Sequence, residues 1–435
     1  MGKNFRWCIC GLLFGACVLN YLDRQVLSVT APTLKHLFHI TNGGYSWIVN
    51  SFLVSYMILQ PVAGRIIDWL TTRRSYALFV IFWSVASVLH CLSSGVRSFA
   101  FFRFLLGVGE AGNFPAAIKT VSEWFPPRER ALAIGLFNIG SPFGALIAPP
   151  LIACLALRFG WQTAFIATGM LGFLWAALWL KFYQPPETHP LVTPEELAYI
   201  RSGDGSRDGE EGSHGSVWRE ALTNRSLWGV TIGRFLTDGV WWFYVFWLPS
   251  YLADARHFTL KEIGQYSWIP YLFAAIGSIF GGWLTTALVK FGTGIIGSRK
   301  WSLLASALMM PAALFVVRAP TPAWAIFFVC LAAFGHGAFS PSIMGLPADL
   351  FPKRAVATAY GISGFGAGLG GLIFQYLVGR LLDAEGFGYA TVFLLAGILH
   401  PLAALTVIFT VRATSGEPDD GVLAPSMQPG EQKAL

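Results

Sequence analysis

The stretch FAFFRFLLGVGEAGNFPAAIKTV, residues 99–121, decides how the whole sequence is interpreted. As a helix it is long enough to cross about 30 Å of hydrocarbon, yet it contains Arg103 and, two turns later on the same face, Glu110. Another apolar stretch contains Asp23 and Arg24. Charged side chains are costly inside a membrane and usually mark a substrate or proton pathway. We therefore predict a membrane protein whose function depends on these charges.

The composition extends this prediction to all 435 residues. Hydrophobic residues make up 54% of the chain and charged residues only 12%, whereas about a quarter of the residues in soluble proteins are charged. Apolar stretches of roughly 20 residues recur, and each could span a bilayer as a helix. We predict an all-α integral membrane protein with twelve transmembrane helices, at about 7–31, 45–67, 76–94, 99–121, 131–157, 161–183, 226–252, 263–289, 301–317, 322–347, 355–382 and 388–411.

The net charge of +7 indicates how the chain is oriented in the membrane, and we expect no nucleic-acid partner. Lysines and arginines lie mainly in alternate loops, on the side that also holds both termini. The positive-inside rule therefore predicts that both termini are cytoplasmic. The basic residues that decide this orientation are Lys3, Arg6, Arg73, Arg74, Arg128, Arg130, Arg299, Lys300, Lys353 and Arg354.

The sequence has no constellation typical of an enzyme or a metal site. Its six cysteines lie within apolar spans, without the spacing of a zinc site or a disulfide framework. No nucleophile–base set is evident either. We therefore expect no enzymatic activity, no bound metal and no cofactor.

One long polar connection, residues 184–224, divides the predicted spans into two sets of six. Within it, Thr193-Pro-Glu-Glu predicts a short helix with proline at its first position, and the polar, glycine-rich stretch 201–216 predicts disorder. We divide the chain into an N-terminal six-helix bundle (1–183), a cytoplasmic linker (184–224), a C-terminal six-helix bundle (225–412) and a disordered cytoplasmic tail (413–435).

The two sets of spans resemble each other in sequence. When Phe125-Pro126 is placed over Phe351-Pro352, the same offset aligns a series of identical residues in the spans that follow. It also places Glu110 opposite His336. Internal repeats related by an axis along the membrane normal are typical of transporters that bind substrate between their halves. We therefore expect Glu110 and His336 to face a central cavity near the midplane.

The rise of a helix gives the depth of each charge. At 1.5 Å per residue, Asp23 and Arg103 share a level about 6 Å from the side opposite the termini, whereas Glu110 lies ~16 Å deep, near the midplane. We therefore pair Asp23 with Arg103, as a gate or as a bond that only holds two helices together, and leave Arg24 for an anion.

A guanidinium binds a carboxylate through two hydrogen bonds, and a carboxyl group in changing surroundings can take up and release a proton. Glu110 is the predicted main proton site, assisted by Asp23 and Arg103.

Other polar and aromatic residues in the spans are weaker candidates, because helix packing and interhelical hydrogen bonds explain them equally well. Arg234 and Asp238, four residues apart on one helical face, are predicted to form an internal ion pair. Trp241 could stack on a sugar, and His336 could bind substrate hydroxyls or titrate. The remaining candidates for hydrogen bonds to substrate hydroxyls are Tyr21, Asn50, Tyr56, Asn138, Ser141 and Gln265.

Several motifs resemble those of the major facilitator superfamily, whose fold consists of two pseudo-symmetric six-helix bundles. The segment from Gly64 to Arg74 resembles its loop signature between helices two and three, which implies a structural or gating role for Asp68 and Arg73. The segment Arg103-x-x-x-Gly107 resembles its helix-four motif.

Two further levels of resemblance are more specific. The segments 20–24, 110–111 and 122–126 resemble the anion:cation symporter branch, and the segments 137–150, 161–165 and 264–270 resemble its bacterial hexuronate transporters. This resemblance covers essentially the whole chain. It implies proton symport of galacturonate or glucuronate by alternating access in the bacterial inner (plasma) membrane. It also implies that Arg24 binds the sugar carboxylate, while Asp23 and Glu110 take part in proton coupling.

We therefore predict a monomeric carrier in the lipid bilayer that imports a small organic anion, with a proton as its coupling ion. Galactonate carriers of the same branch have other residues at the positions of Ser141 and Met344, so these two positions bear on which sugar acid is bound. The alternative substrates are galactonate, glucarate and a dicarboxylate. A rival from another class is a membrane sensor that binds its ligand without moving it. Such a sensor would keep the carboxylate clamp but would not need a titratable Glu110.

Overall fold

The structure is a computed structural model that describes residues 4–202, 219, 221–351 and 353–412. The side chains of residues 61, 64, 65, 68, 69, 127, 128, 130–132, 348 and 353–358 are outside this description. The predicted tail at 413–435, nearly all of the predicted disordered stretch at 201–216, and the side chain of Asp68 therefore lie outside the described residues.

The regular elements in the described ranges are helices. The first half contains α1 (Phe5–Phe38), α2 (Asn42–Leu70), α3 (Thr72–Leu89), α4 (Val96–Glu110), α5 (Asn113–Trp124), α6 (Pro127–Asn138), α7 (Gly140–Phe159) and α8 (Trp161–Phe182), and the connection contains α9 (Pro194–Arg201). The second half contains α10 (Arg225–Arg256), α11 (Leu260–Tyr266), α12 (Ile269–Lys290), α13 (Ile295–Ala307), α14 (Pro322–Leu350), α15 (Lys353–Asp383) and α16 (Tyr389–Thr410). Short 3₁₀ helices follow α3 and α13, at His90–Leu92 and Met310–Phe315. We call the side of the bundle that holds Phe5 and Thr410 the terminus side, and the opposite side the far side.

Eight of these helical segments are long and apolar enough to cross a membrane. The other four predicted spans correspond to α2, α4–α5, α10 and α13, of which α4–α5 is interrupted and α13 is short. With these repeated apolar helices, the chain is a multi-pass membrane protein.

Span four shows the most consequential break. We predicted one helix over 99–121, and this is wrong, because α4 ends at Glu110 and α5 begins at Asn113. Gly112 lies in the break, where an added Cβ would be 2.4 Å from the ring of Phe79 on α3. Glu110 therefore stands where α4 ends and α5 is about to begin. Its side chain is fully buried, so its carboxylate needs a cation nearby.

The two halves contact each other mainly through α1 with α10 and through α2 with α15. Hydrogen bonds between the halves cluster towards the far side: Ser28 Oγ to the Val245 carbonyl (2.8 Å), the Tyr45 hydroxyl to the Phe246 carbonyl (2.7 Å), Lys35 Nζ to Asp254 Oδ2 (2.8 Å), and the Asn42 and Gly43 amides to Asp383 (2.9 and 2.5 Å). These contacts close the far side of the bundle.

The connection between the halves begins with the short helix that the sequence predicts. Pro194 is its first residue, and Thr193 Oγ1 accepts a hydrogen bond from the Glu196 amide at 3.2 Å, as expected for an N-cap. Glu196 also accepts hydrogen bonds from the backbone and guanidinium of Arg6, whose Nε lies 2.9 Å from Glu129 on α6. The helix α9 is therefore held against the N-terminal half.

Glycines bring α12 and α14 into close contact. A Cβ added at Gly281 would lie 2.1 Å from the Ala338 carbonyl oxygen, and one added at Gly277 would lie 2.2 Å from the Phe334 carbonyl oxygen. Small residues of this kind allow the backbones of membrane helices to approach. The neighbouring Gly282 has nothing within 4 Å of its added Cβ.

This adjacent pair of glycines gives a matched test. Gly281→Ala should lower the stability by about 1–3 kcal/mol because the methyl group overpacks the interface. Gly282→Ala should be neutral or stabilising, because alanine is favoured over glycine in a helix by about 1 kcal/mol. The measurement is the melting temperature of each variant purified in detergent. An equal melting temperature for both variants would contradict the close approach.

Candidate functional site

Arg24 and Glu110 form an ion pair in the middle of the N-terminal half. Arg24 Nε lies 2.7 Å from Glu110 Oε2, and the two side chains are 2% and 0% exposed. We expected Arg24 to have no partner and to await an anion, and this is wrong for the conformation described here. The helix break after Glu110 and the long stem of Arg24 allow the two charged groups to meet, although they come from different helices.

Four aromatic rings surround the Arg24 guanidinium. Its Cζ lies 4.7 Å from the ring centre of Tyr56, 5.0 Å from Phe52 and 5.1 Å from Tyr21, all in the N-terminal half. The fourth ring is Trp242 on α10, at 5.7 Å. Cations are attracted to the faces of aromatic rings, most strongly where water is excluded. The site of Arg24 is therefore completed by the opposite half of the protein.

The hydrogen-bonding capacity of this pair is only partly used. Arg24 Nη2 and Glu110 Oε1 are both enclosed and have no hydrogen-bond partner among the described residues. A buried charged group with an unmade hydrogen bond raises the free energy of the folded state. Each partner therefore keeps unused capacity, a donor on Arg24 and an oxygen on Glu110, but both atoms are enclosed, so a ligand can use them only after the surrounding side chains move.

Asp23 and Arg103 do not form the ion pair that we predicted. Asp23 Oδ1 accepts a hydrogen bond of 2.7 Å from Ser87 on α3, and Arg103 Nη2 donates to the Arg24 carbonyl oxygen at 3.3 Å. Asp23 Oδ2 and two nitrogens of Arg103 are enclosed without a partner in the described part of the chain. The depth of the two charges along the membrane did not fix their directions around the helix axes, and Ser87 takes the place of Arg103.

In the C-terminal half, aromatic rings cluster around His336, the residue that the sequence repeat aligns with Glu110. His336 lies parallel to Trp241, with ring centres 4.9 Å apart and an interplanar angle of 3°, and Tyr271 packs edge-on against Trp241. His336 Nδ1 lies 2.9 Å from Nε2 of His400, a residue that the sequence analysis overlooked. Trp241 and His336, proposed separately from the sequence, are thus in contact.

The residues expected to have structural roles form ion pairs or hydrogen bonds with other parts of the protein. Arg234 and Asp238 form the predicted internal ion pair at 3.2 Å, and Arg234 also donates to Ser363 on α15. Arg73 Nη2 donates to the Leu180 carbonyl oxygen at 2.5 Å, which joins α3 to α8. Both arginines are therefore used within the fold.

The remaining predicted substrate ligands are spread more widely. Tyr21 and Tyr56 lie beside Arg24, whereas Asn50 donates to the Leu372 carbonyl oxygen and joins the two halves. Ser141 is buried with an unpaired hydroxyl, and Asn138 is exposed. Gln265 is also exposed, on the short far-side helix α11. Because span eight breaks after Tyr266, Gln265 lies outside the Arg24 cluster.

Comparison with known proteins agrees with this architecture. The chain matches the model of the Major Facilitator Superfamily over residues 13–298 and 293–426. It is 36% identical over 410 residues to a hexuronate transporter of Escherichia coli (strain K12), with 94% of each chain covered. It is 38% identical over 310 residues to a galacturonate transporter of Dickeya chrysanthemi, with 71% of this chain and 90% of the relative covered.

A solved structure supports the fold. A bacterial homologue of the human lysosomal transporter Spinster, in an inward-facing and unoccupied conformation, has a TM-score of 0.74 at 19% identity, covering 95% of this chain and 100% of that chain. The predicted fold class, twelve membrane helices in two six-helix halves, is confirmed, as is the resemblance to hexuronate transporters. The prediction that the chain is a transporter and not an enzyme is also confirmed.

The buried ion pair can be tested through stability. Glu110→Leu should lower the stability by about 3–5 kcal/mol because it leaves the Arg24 guanidinium buried without a counter-charge. Glu110→Gln also removes the counter-charge, but it should cost less than Glu110→Leu, since its amide oxygen can still accept a hydrogen bond from Arg24 Nε. The double variant Arg24→Leu with Glu110→Leu should recover most of the loss. Melting temperatures in detergent at neutral pH measure these effects, and equal values for Glu110→Leu and Glu110→Gln would refute the pairing.

Proposed function

This chain belongs to the Major Facilitator Superfamily, and we propose that it is a proton-coupled symporter that imports a sugar-acid anion, a hexuronate such as galacturonate or glucuronate, by alternating access. The observation that carries this proposal is the enclosed Arg24–Glu110 pair, in which each partner retains one unused atom for a ligand. The hexuronate and galacturonate transporters similar to this chain support the choice of substrate.

The substrate carboxylate and the Glu110 carboxylate compete for Arg24. A guanidinium stays charged at any physiological pH and can hold a carboxylate through two parallel hydrogen bonds. In the described conformation Glu110 occupies Arg24 Nε, while Nη2 is free. Binding a substrate carboxylate side-on, through Nε and Nη2, therefore requires Glu110 to withdraw.

A proton allows this withdrawal. When Glu110 binds a proton, it loses its negative charge, and its attraction to Arg24 weakens. The substrate anion then binds Arg24 in its place. One proton and one monovalent anion enter together, so the net charge of the buried site does not change. Asp23 and Arg103 assist, because each keeps unpaired atoms beside the site and the two can approach when the helices move.

The contacts between the halves suggest how the site opens first to one side of the membrane and then to the other. With both termini in the cytoplasm, as the basic loops predict, the far side is the periplasmic side, and the hydrogen bonds of Ser28, Tyr45 and Asp383 close it. Opening these contacts would admit substrate from outside. The protein then works as a monomer in the inner membrane, without a further cofactor or a nucleic-acid partner.

The alternative is transport of another organic anion, such as galactonate, glucarate or a dicarboxylate. Every one of these acids offers a carboxylate to Arg24, so they differ at the other end, in their hydroxyls and, for glucarate or a dicarboxylate, in a second carboxylate. A sensor that binds its ligand without moving it would not need the exchangeable carboxylate of Glu110. Uptake of labelled galacturonate into proteoliposomes, with and without an inward proton gradient, tests the proposal. No gradient-dependent accumulation of any sugar acid would refute it.

Glu110→Gln should abolish proton-driven accumulation while exchange of internal for external substrate survives. The amide cannot bind or release the coupling proton, but it leaves Arg24 available to the anion. Both activities are measured in the same proteoliposomes. Glu262→Gln is the control; this residue caps the short far-side helix α11, a role that glutamine can also fill, and the variant should accumulate substrate normally. Unimpaired accumulation by Glu110→Gln would place the proton site elsewhere.

Arg24→Lys should weaken galacturonate binding at least tenfold, because an ammonium group keeps the charge but loses the planar fork. Arg24→Ala should abolish detectable binding. Isothermal titration of the purified protein in detergent measures both constants, with the exposed Arg158→Ala as the control. Wild-type affinity in Arg24→Ala would contradict the role of Arg24 as the carboxylate ligand.

A further inference from the structure

Two buried imidazoles meet in the C-terminal half. His336 on α14 and His400 on α16 are 8% and 0% exposed, and their Nδ1 and Nε2 atoms lie 2.9 Å apart. Polar residues are rare in membrane helices and are usually functional when they face the interior of the bundle. His400 has no role in the proposed exchange at Arg24, so its presence in an apolar span needs another explanation.

The surrounding rings hold His336 in one orientation. Trp241 covers one face of the imidazole in a parallel stack at 4.9 Å. His400 stands edge-on to His336 at 5.2 Å and is itself packed edge-on against Phe339 at 5.3 Å. The ring of His336 is thus fixed by stacking on one side and by a hydrogen bond to its Nδ1 on the other.

The other nitrogen of His336 remains available. Nε2 has no partner among the described residues, and it is not one of the enclosed unpaired atoms, whereas Nδ1 of His400 is. In a neutral imidazole one nitrogen donates and the other accepts, and the hydrogen bond made by one nitrogen sets the role of the other. The two imidazoles are therefore coupled: His336 Nε2 accepts when its Nδ1 donates to His400, and it donates when its Nδ1 accepts from His400.

The position of this nitrogen connects it with the anion site. Trp241 stacks on His336, and the next residue, Trp242, covers the Arg24 guanidinium from the C-terminal half at 5.7 Å. The repeat places His336 opposite Glu110. Neighbouring residues of α10 thus contact both groups: Arg24, with its charged fork, and His336, with a single available nitrogen.

We propose that His400 is a positioning residue that holds His336 so that His336 Nε2 binds a hydroxyl of the substrate while Arg24 binds its carboxylate. A hydroxyl suits this nitrogen because it can both donate and accept a hydrogen bond. His400 itself does not touch the substrate. This inference rests on the proposed function, and it identifies the subsite that distinguishes a sugar acid from a simple carboxylic acid.

The test compares two ligands that share a ring and a carboxylate: galacturonate, and tetrahydropyran-2-carboxylate, which lacks the hydroxyls. Their dissociation constants are measured by isothermal titration of the full-length protein in detergent. His400→Phe should weaken galacturonate binding about tenfold, the effect of one lost hydrogen bond, and leave binding of the hydroxyl-free acid unchanged. His400→Gln, which can still bond to His336 Nδ1, should recover most of the affinity for galacturonate.

Two controls separate this role from a structural one. His189→Gln replaces another histidine that is 8% exposed and packed against aromatic rings, but lies outside the spans, and it should alter neither constant. If His400→Phe weakens both ligands equally, or weakens neither, the positioning role is refuted while the transport proposal stands. If the wild-type protein does not bind galacturonate, the proposed function fails and this inference fails with it.

Discussion

The ion pair between Arg24 and Glu110 is the interaction on which the rest of the structure depends. Removing two charges from water costs several kcal/mol per ion, and their attraction offsets this cost only when the geometry is good. The pair meets this condition with an Nε–Oε2 distance of 2.7 Å. Arg24 comes from α1 and Glu110 is the last residue of α4, so each buried charge is compensated by a partner on another helix.

The same pair is incompletely satisfied, and this is what suits it to transport. Arg24 Nη2 and Glu110 Oε1 are enclosed without partners among the described residues, so neither group is bound as firmly as it could be. A fully satisfied pair would favour a single conformation and resist a ligand. Because Trp242 of the opposite half completes the ring of aromatic side chains around Arg24, occupancy of this site is tied to the contact between the halves.

The sequence was sufficient to predict the architecture, because a bilayer demands long apolar helices and leaves few alternatives. The connecting helix was also predictable, since Thr193 and the proline after it form a local cap. The pair Arg234–Asp238 was predictable because both residues lie on one helix, whereas the partners of Arg24, Asp23 and Arg103 were not. Depth follows from counting residues, but the direction of Asp23 around its helix depends on packing, and Ser87 proved to be its neighbour. His400 was recognisable in the sequence as a lone histidine in an apolar span, which is the signal of a candidate functional residue.

Proton uptake on substrate binding tests the central claim most directly. If the substrate carboxylate displaces an ionised Glu110 from Arg24, binding of galacturonate should draw about one proton from solution. Titration calorimetry in buffers with different ionisation enthalpies measures this number. The wild-type protein should take up close to one proton per bound anion, and Glu110→Gln should take up none while still binding. Binding without proton uptake in the wild type, or the same uptake in Glu110→Gln, would contradict the exchange at Arg24.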